Sequence, residues 1–348
     1  MNPLVMNKLI PFLLSIIFLS CQTEQKKQIT QVISFKGQQV TGVTATNTGR
    51  LFANFPRWRN NVENSVVEIS DSGVATPYPS KDWNNWNLGA PIHDSLFVAV
   101  QSVVAFENHL YVLDTRNPLF KGVIGQPRIY DFDLNTNQLL NTYFLSQGSY
   151  HHDSYINDLR VDKKLNKIYC TDSGHAGLVI IDMESGNSIR VLDNHESTLA
   201  QVNKLTFDNG DWKNTVHSDG IALDTVNDEL YFHALTGYKL YKISTQSLNS
   251  GNVNIIKNNV QFVAQTPAPD GMIIDSNGTL YLADLEKNKI MQYNINQGEL
   301  SVLAQGENIK WADTFTLHDN RLYYTNSRIN EAQDDISQLE FSINYIEL

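Results

Sequence analysis

The chain has 348 residues, 41% hydrophobic and 18% charged, enough to bury a large core. A formal net charge of -11 argues against a nucleic-acid partner, because phosphate binding needs a basic surface. Two cysteines, Cys21 and Cys170, do not make a disulfide framework.

Lys8 precedes an apolar run from Leu9 to Leu19, which Ser20-Cys21 closes. A charged start, a short apolar core and a small residue at the end describe a secretory signal, too short to be a good membrane span. Phe18-Leu19-Ser20-Cys21 resembles the lipobox of bacterial lipoproteins. That resemblance implies that residues 1–21 are a lipoprotein signal peptide and that Cys21 becomes the acylated first residue. The protein is then exported, periplasmic or at the cell surface, and meets the membrane through its lipid anchor only. A plain signal peptide or an uncleaved anchor is the alternative. Residues 22–30 are polar and suit a flexible tether, leaving 31–348 as the folded domain. Cys170 reads as a lone buried thiol inside a strand.

Residues 28–35 alternate enough to form a strand. From there one phrase recurs. Its clear copies are Asn157-Asp-Leu-Arg-Val-Asp, Asp219-Gly-Ile-Ala-Leu-Asp, Asp270-Gly-Met-Ile-Ile-Asp and Asp313-Thr-Phe-Thr-Leu-His. Each is followed by a turn and then Ile168-Tyr, Leu230-Tyr, Leu280-Tyr or Leu322-Tyr. Fainter copies begin at Thr41 and Gln101. Length alone suggests two domains, but six repeats of short strands predict one all-β domain, a six-bladed β-propeller. Predicted strands fall at 41–46, 50–55, 65–70 and 74–78, then 101–106, 109–114, 128–133 and 141–145. The third and fourth repeats give 157–162, 167–172, 177–182 and 188–193, then 219–224, 229–234, 239–244 and 253–264. The fifth gives 270–275, 279–284, 289–294 and 300–304. The sixth supplies only 313–318, 321–326 and 340–347, so strand 28–35 is expected to complete it and close the ring.

In an up-and-down blade, the loops sort onto two faces. One set is short and turn-like. The other holds every long insertion: 56–64, 80–100, 115–127, 146–156, 194–217 and 327–339. Long loops gathered on one face carry function. The phrase-initial residues Thr41, Gln101, Asn157, Asp219, Asp270 and Asp313 start the innermost strands and should ring the channel mouth there. Grouped carboxylates repel and are costly to desolvate. Calcium or another divalent cation would resolve this, with Asn157, Asp219 and Asp270 as metal ligands. A ligand amine would do the same. The architectural alternative has each Asp or Asn bonding neighbouring backbone and fastening adjacent blades. Asp219 and Asp270 are also the catalytic candidates. The second acids, Asp162, Asp224 and Asp275, lie beside tight turns and read as turn caps.

Arg57, Trp58, His152, Trp311 and Asp313 are the expected ligand-binding residues of this face. His151 and His152 would point apart in a strand, and no His-x-His or His-Glu-x-x-His spacing exists, which argues against zinc. There is no nucleophile elbow, P-loop or dinucleotide fingerprint.

Phe55-Pro-Arg-Trp-Arg59, Leu110-Tyr-Val-Leu-Asp-Thr115, Ile129-Tyr-Asp-Phe-Asp-Leu-Asn-Thr136, Asn157-Asp-Leu-Arg-Val-Asp162, Gly177-Leu-Val-Ile-Ile-Asp182, Ser218-Asp-Gly-Ile-Ala-Leu223 and Thr325-Asn-Ser-Arg328 resemble the yellow and major royal jelly protein family. The resemblance runs in order from Leu51 to Arg328. It implies a six-bladed propeller and a range of functions: conversion of dopachrome, binding of biogenic amines, or storage. The Asp-Gly-x-x-x-Asp phrases more distantly resemble the gluconolactonase, paraoxonase and strictosidine synthase-like propellers, whose Asn and Asp hold a divalent metal. Three functions follow as expectations: binding of a small cationic or aromatic molecule, a metal-dependent hydrolase or lactonase, and a protein-interaction platform.

Overall fold

Each of the six repeats folds into an antiparallel four-stranded sheet, as its alternating apolar residues and tight turns require. The computed structural model describes residues 27–333 and 335–348. Inner strands run Gly42–Ala45, Val100–Phe106, Ile156–Asp162, Ser218–Asp224, Met272–Ile274 and Ala312–His318. Apolar side chains of one blade interdigitate with those of the next, so the core is a series of inter-blade layers. Tyr111, Leu113 and Ile129 of the second blade, for example, pack with Leu159, Ile168 and Val179 of the third.

The ring closes as expected. Strand Ile29–Lys36 pairs antiparallel with Glu340–Glu347 and completes the sixth blade. Ile33 lies opposite Ile343 and Phe35 opposite Phe341. This strand takes in Ile29 and Thr30, which the tether reading placed outside the domain. The lipidation site expected at Cys21 lies outside the described residues.

Two segments differ from the sequence reading. Residues 253–264 are not one strand: Thr245–Asn249 and Val253–Asn259 are helices, and the fourth strand is only Gln261–Gln265. The cause is local. Ser244 Oγ accepts the Ser247 N–H at 3.2 Å, and Asn252 Oδ1 accepts those of Asn254 and Ile255. These are N-caps, and Leu248 and Ile256 anchor the two helices in the core. The loop 194–217 contains a hairpin, Leu205–Phe207 with Gly210–Trp212.

The turn-capping reading of the second acids holds. Asp162 accepts the Leu165 N–H at 3.0 Å, Asp224 those of Val226 and Asn227, and Asp275 those of Asn277 and Thr279. Cys170 is fully buried, and burial raises its thiol pKa, which keeps it inert.

Candidate functional site

The inner strands converge because adjacent blades approach very closely, and two glycines permit it. A Cβ on Gly220 would lie 2.7 Å from the Asp270 carbonyl oxygen, and one on Gly271 would lie 2.2 Å from that of Asp313. Each Asp-Gly phrase thus couples a carboxyl to the residue that lets the next blade in. Side chains one strand out tie the blades together. Thr171 Oγ1 donates to the Asp219 carbonyl at 2.8 Å, Thr325 Oγ1 to that of Thr41 at 2.7 Å, and Asn54 Nδ2 to that of Gln101 at 3.0 Å. These second-strand residues are the blade fasteners, a role the sequence reading offered to the Asp side chains themselves.

The carboxyls floor a cavity of about 1060 Å³ on the long-loop face. Gln101, Asn157, Asp219, Asp270 and Asp313 form its base, and Phe55, Trp58, Phe120, Tyr155, Trp212 and Trp311 its walls. Trp58 stacks on Phe120, and Phe120 leans on Tyr155 with ring centroids 4.8 Å apart. Phe120 itself remains 59% exposed, which sets it at the entrance.

One hydrogen-bonded chain runs across the base. Trp58 Nε1–H donates to the Tyr155 hydroxyl, and that hydroxyl donates to Gln101 Oε1 at 2.7 Å. Gln101 Nε2 donates to Asn157 Oδ1 at 2.8 Å, and Asn157 Nδ2 donates to Asp219 Oδ2 at 2.5 Å. An indole can only donate, and Asp219 in its ionised form only accepts, so the chain runs from Trp58 towards Asp219 when that carboxyl is charged. Asp219 and Asp270 lie close enough that each carboxyl affects the ionisation of the other. The Trp311 indole donates to Asp270 Oδ2 at 2.6 Å. Trp311 holds a left-handed backbone, φ 61°, unusual for a bulky residue, and is wedged against Phe207 and Trp212. The missed hairpin therefore buttresses the site.

All three carboxyls are buried, and neutral groups donate to them: Asn157 to Asp219, Trp311 to Asp270 and Thr314 to Asp313. Burial raises the pKa of each well above the carboxylate range; the charges of Asp270 and Asp313 raise Asp219 further, and that of Asp270 raises Asp313. Burial and mutual repulsion thus favour the protonated form of these carboxyls. A paired acid and carboxylate can also take up or release a proton at a bound molecule, so Asp219 and Asp270 retain general acid–base capacity.

Farther along the same inner strand, Arg160 bonds Asp158 Oδ2 and reaches the Met272 carbonyl of the fifth blade, both at 2.8 Å. This pair spans the channel, and the repeat alignment had not singled it out.

The ligand-binding candidates divide. Trp58, Trp311 and Asp313 line the cavity. Arg57 is buried and structural, its Nε on the Val98 carbonyl at 2.9 Å and its guanidinium over Trp86. His152 is exposed against Gly122 and is not among the lining residues. Of the metal candidates, Asn157, Asp219 and Asp270 do converge, and their oxygens suit a hard cation in kind. As they stand, Asn157 turns its NH2 to Asp219, and its oxygen is engaged by Gln101.

The family profile described as Major royal jelly protein matches residues 99–345. Major royal jelly protein 6 of Apis mellifera is 22% identical over 260 residues, 69% of this chain and 57% of the relative. Major royal jelly protein 3 of the same species is 23% identical over 253 residues, 66% of this chain and 44% of the relative. The chain thus spans about half the length of the curated relatives it matches. Among solved structures, a luciferin-regenerating enzyme superposes with a TM-score of 0.59 at 11% identity, over 92% of this chain and 95% of that one. A gluconolactonase from Xanthomonas campestris superposes with a TM-score of 0.57 at 12% identity, over 92% and 90%. At such identities the likeness is one of fold.

Proposed function

The chain belongs to the major royal jelly protein family, and from that premise we propose that it binds a small organic cation with an aromatic or apolar body in its central cavity. One observation carries this reading: three buried carboxyls, hydrogen-bonded by neutral groups, floor a cavity walled by aromatic rings. An ammonium group brings donors and a positive charge to acceptors that otherwise hold protons, which reverses their pKa shift. The aromatic walls bury the ligand's apolar body, and Trp58 and Trp311 add cation–π attraction. An amine can reach the carboxyls with the Trp58–Tyr155–Gln101–Asn157 chain intact, whereas a metal held by Asn157 would use the amide oxygen that Gln101 now occupies. The amine reading therefore stands ahead of metal-dependent hydrolysis.

Titration calorimetry with 2-phenylethylamine and phenylacetate tests it. These share an aromatic body and carry opposite charges. The amine is expected to bind and the acid not to; equal binding of both, or of neither, ends the reading.

We further read the protein as an exported lipoprotein held to the membrane through acylated Cys21. The support is the order Lys8, apolar run, Leu19-Ser20-Cys21. Several acyl chains would hold it firmly where one would not. Intact-mass measurement of membrane-extracted protein decides this, since a mature chain starting elsewhere or lacking lipid mass defeats it.

A further inference from the structure

On the same face, at the rim of the third blade, three loops bring together His151, His175 and Asp193. Their ligand atoms all lie within 4.8 Å of one another. We propose that these residues bind a divalent transition metal of the zinc type, at a site separate from the carboxyl ring.

The geometry around each ligand carries the argument. His175 Nδ1 lies 3.1 Å from Asp153 Oδ1. A carboxylate only accepts, so Nδ1 donates, and the Asn194 amide stands 3.4 Å from Nε2. That nitrogen faces Asp193, 3.8 Å from Oδ1. Carboxylate, imidazole and metal in this order are the usual support of a metal-binding histidine. His151 Nε2 is buried and has no hydrogen-bond partner among the described residues, and it lies 3.5 Å from Asp193 Oδ2. A buried ring nitrogen without a partner is costly, and a metal ion would satisfy it. The two imidazoles stack at 3.8 Å.

Asp193 is also set in advance. Arg190 bonds its Oδ1, contacts Asp172 Oδ2 at 2.8 Å, and donates to the His175 carbonyl. Oδ2 of Asp193 remains directed at His151. Two imidazole nitrogens and one carboxylate oxygen drawn in to ~2 Å make a three-ligand site whose fourth position is open to water. The sequence hid it because His151, His175 and Asp193 have no motif spacing; the turns after the second and fourth strands assemble them.

The same loops reach the cavity wall. Asp172 Oδ1 accepts the N–H groups of both Tyr155 and His175, at 2.8 and 3.0 Å. A bound metal would stiffen this corner and hold Tyr155 in place.

The test is calorimetric titration of Zn2+ into tag-free full-length protein, with Co2+ absorption reporting ligand geometry. One equivalent should bind. His151→Ala and His175→Ala should each abolish the tight phase, and Asp153→Asn should weaken it by roughly 10–100-fold. Asp270→Asn, which alters only the carboxyl ring, should leave it unchanged. The proposal is overturned if wild type binds no metal, if binding survives both histidine variants, or if Asp270→Asn removes it. Metal-free melting and circular dichroism check folding, and the half-exposed His151 provides a second variant, His151→Gln, should His175→Ala misfold. Amine binding is read separately, so loss of either activity is distinguishable from loss of the other.

Discussion

The two halves of the inner ring occupy equivalent backbone positions and behave differently. Blades one to three present Thr41, Gln101 and Asn157, and these close on themselves: Asn54 Nδ2 donates to Thr41 Oγ1 at 3.3 Å, and Gln101 joins Tyr155 to Asn157. Blades four to six present Asp219, Asp270 and Asp313, buried beside one another with raised pKa values. The neutral half is satisfied by its neighbours. The acidic half also receives hydrogen bonds from neutral groups, but burial and the repulsion among its carboxyls favour uptake of protons or a cation. Equivalent position therefore reports architecture, and the departure from neutrality marks where the proposed amine site differs from it.

The largest effect should come from breaking the closure that seats the acidic half. Asp313 belongs to the blade completed by strand Ile29–Lys36. Deleting residues 22–36 exposes a strand edge and uncovers apolar side chains, so thermal melting should fall steeply or lose cooperativity. A truncated protein that melts like the full chain would remove closure from the account.

Next is Gly271→Ala. Its Cβ would lie 2.2 Å from backbone of the sixth blade, and overpacking of this kind costs roughly 1–3 kcal/mol or more. Ser102→Ala, at the matching place in the neutral half, loses one hydrogen bond to Asp158 and should cost about 1 kcal/mol. Denaturant unfolding of the two variants side by side measures the contrast.

Asp219→Asn and Asp270→Asn test what the acidic half is for. Charge-assisted hydrogen bonds are worth roughly 1.5–3 kcal/mol, so amine affinity should fall about 10–150-fold in calorimetry. The empty fold should not suffer, because the substitution removes a buried, repelled carboxyl. Normal binding with a lower melting temperature would instead make the aspartates fasteners.

The pH dependence has a definite sign. The folded pKa of each ring carboxyl is raised above its unfolded value. The proton-bound folded state is thus favoured at acid pH. Its stabilisation is fully present below the ordinary carboxylate range and is lost as pH rises through the raised folded values. Amine affinity runs the other way, weakening as pH falls through that window, because proton and ammonium compete. Melting curves and titrations between pH 4 and 8 (roughly the span from the ordinary carboxylate range to neutrality) should show opposite trends, both flattened in Asp219→Asn.

The smallest effect is expected in the neutral half. Tyr155→Phe cuts the chain between Trp58 and Gln101 and should cost about 1 kcal/mol of stability while weakening the amine less than either Asp variant does.

The sequence alone determined the blade count, the strand that closes the ring, the two loop faces and the ring of Asn and Asp, because a repeated phrase with period-two alternation has one way to bury its apolar face. It also identified the turn caps, whose bonds are made within a few residues. Helices 245–249 and 253–259 were marked by Ser244 and Asn252, caps that a strand-by-strand reading passes over. Tertiary structure decided the rest. Arg57 and Trp58 are adjacent, yet one is buried beneath Trp86 and the other walls the cavity. The Asn157 amide is linked through Gln101 and Tyr155 to Trp58, 99 residues away in sequence. His151, His175 and Asp193 come together only because the link into the third blade and two of that blade's own loops meet at the same corner. Local patterns record the period of a chain; contacts between distant loops depend on how closely packed blades set those loops, and no spacing within a single repeat encodes that distance.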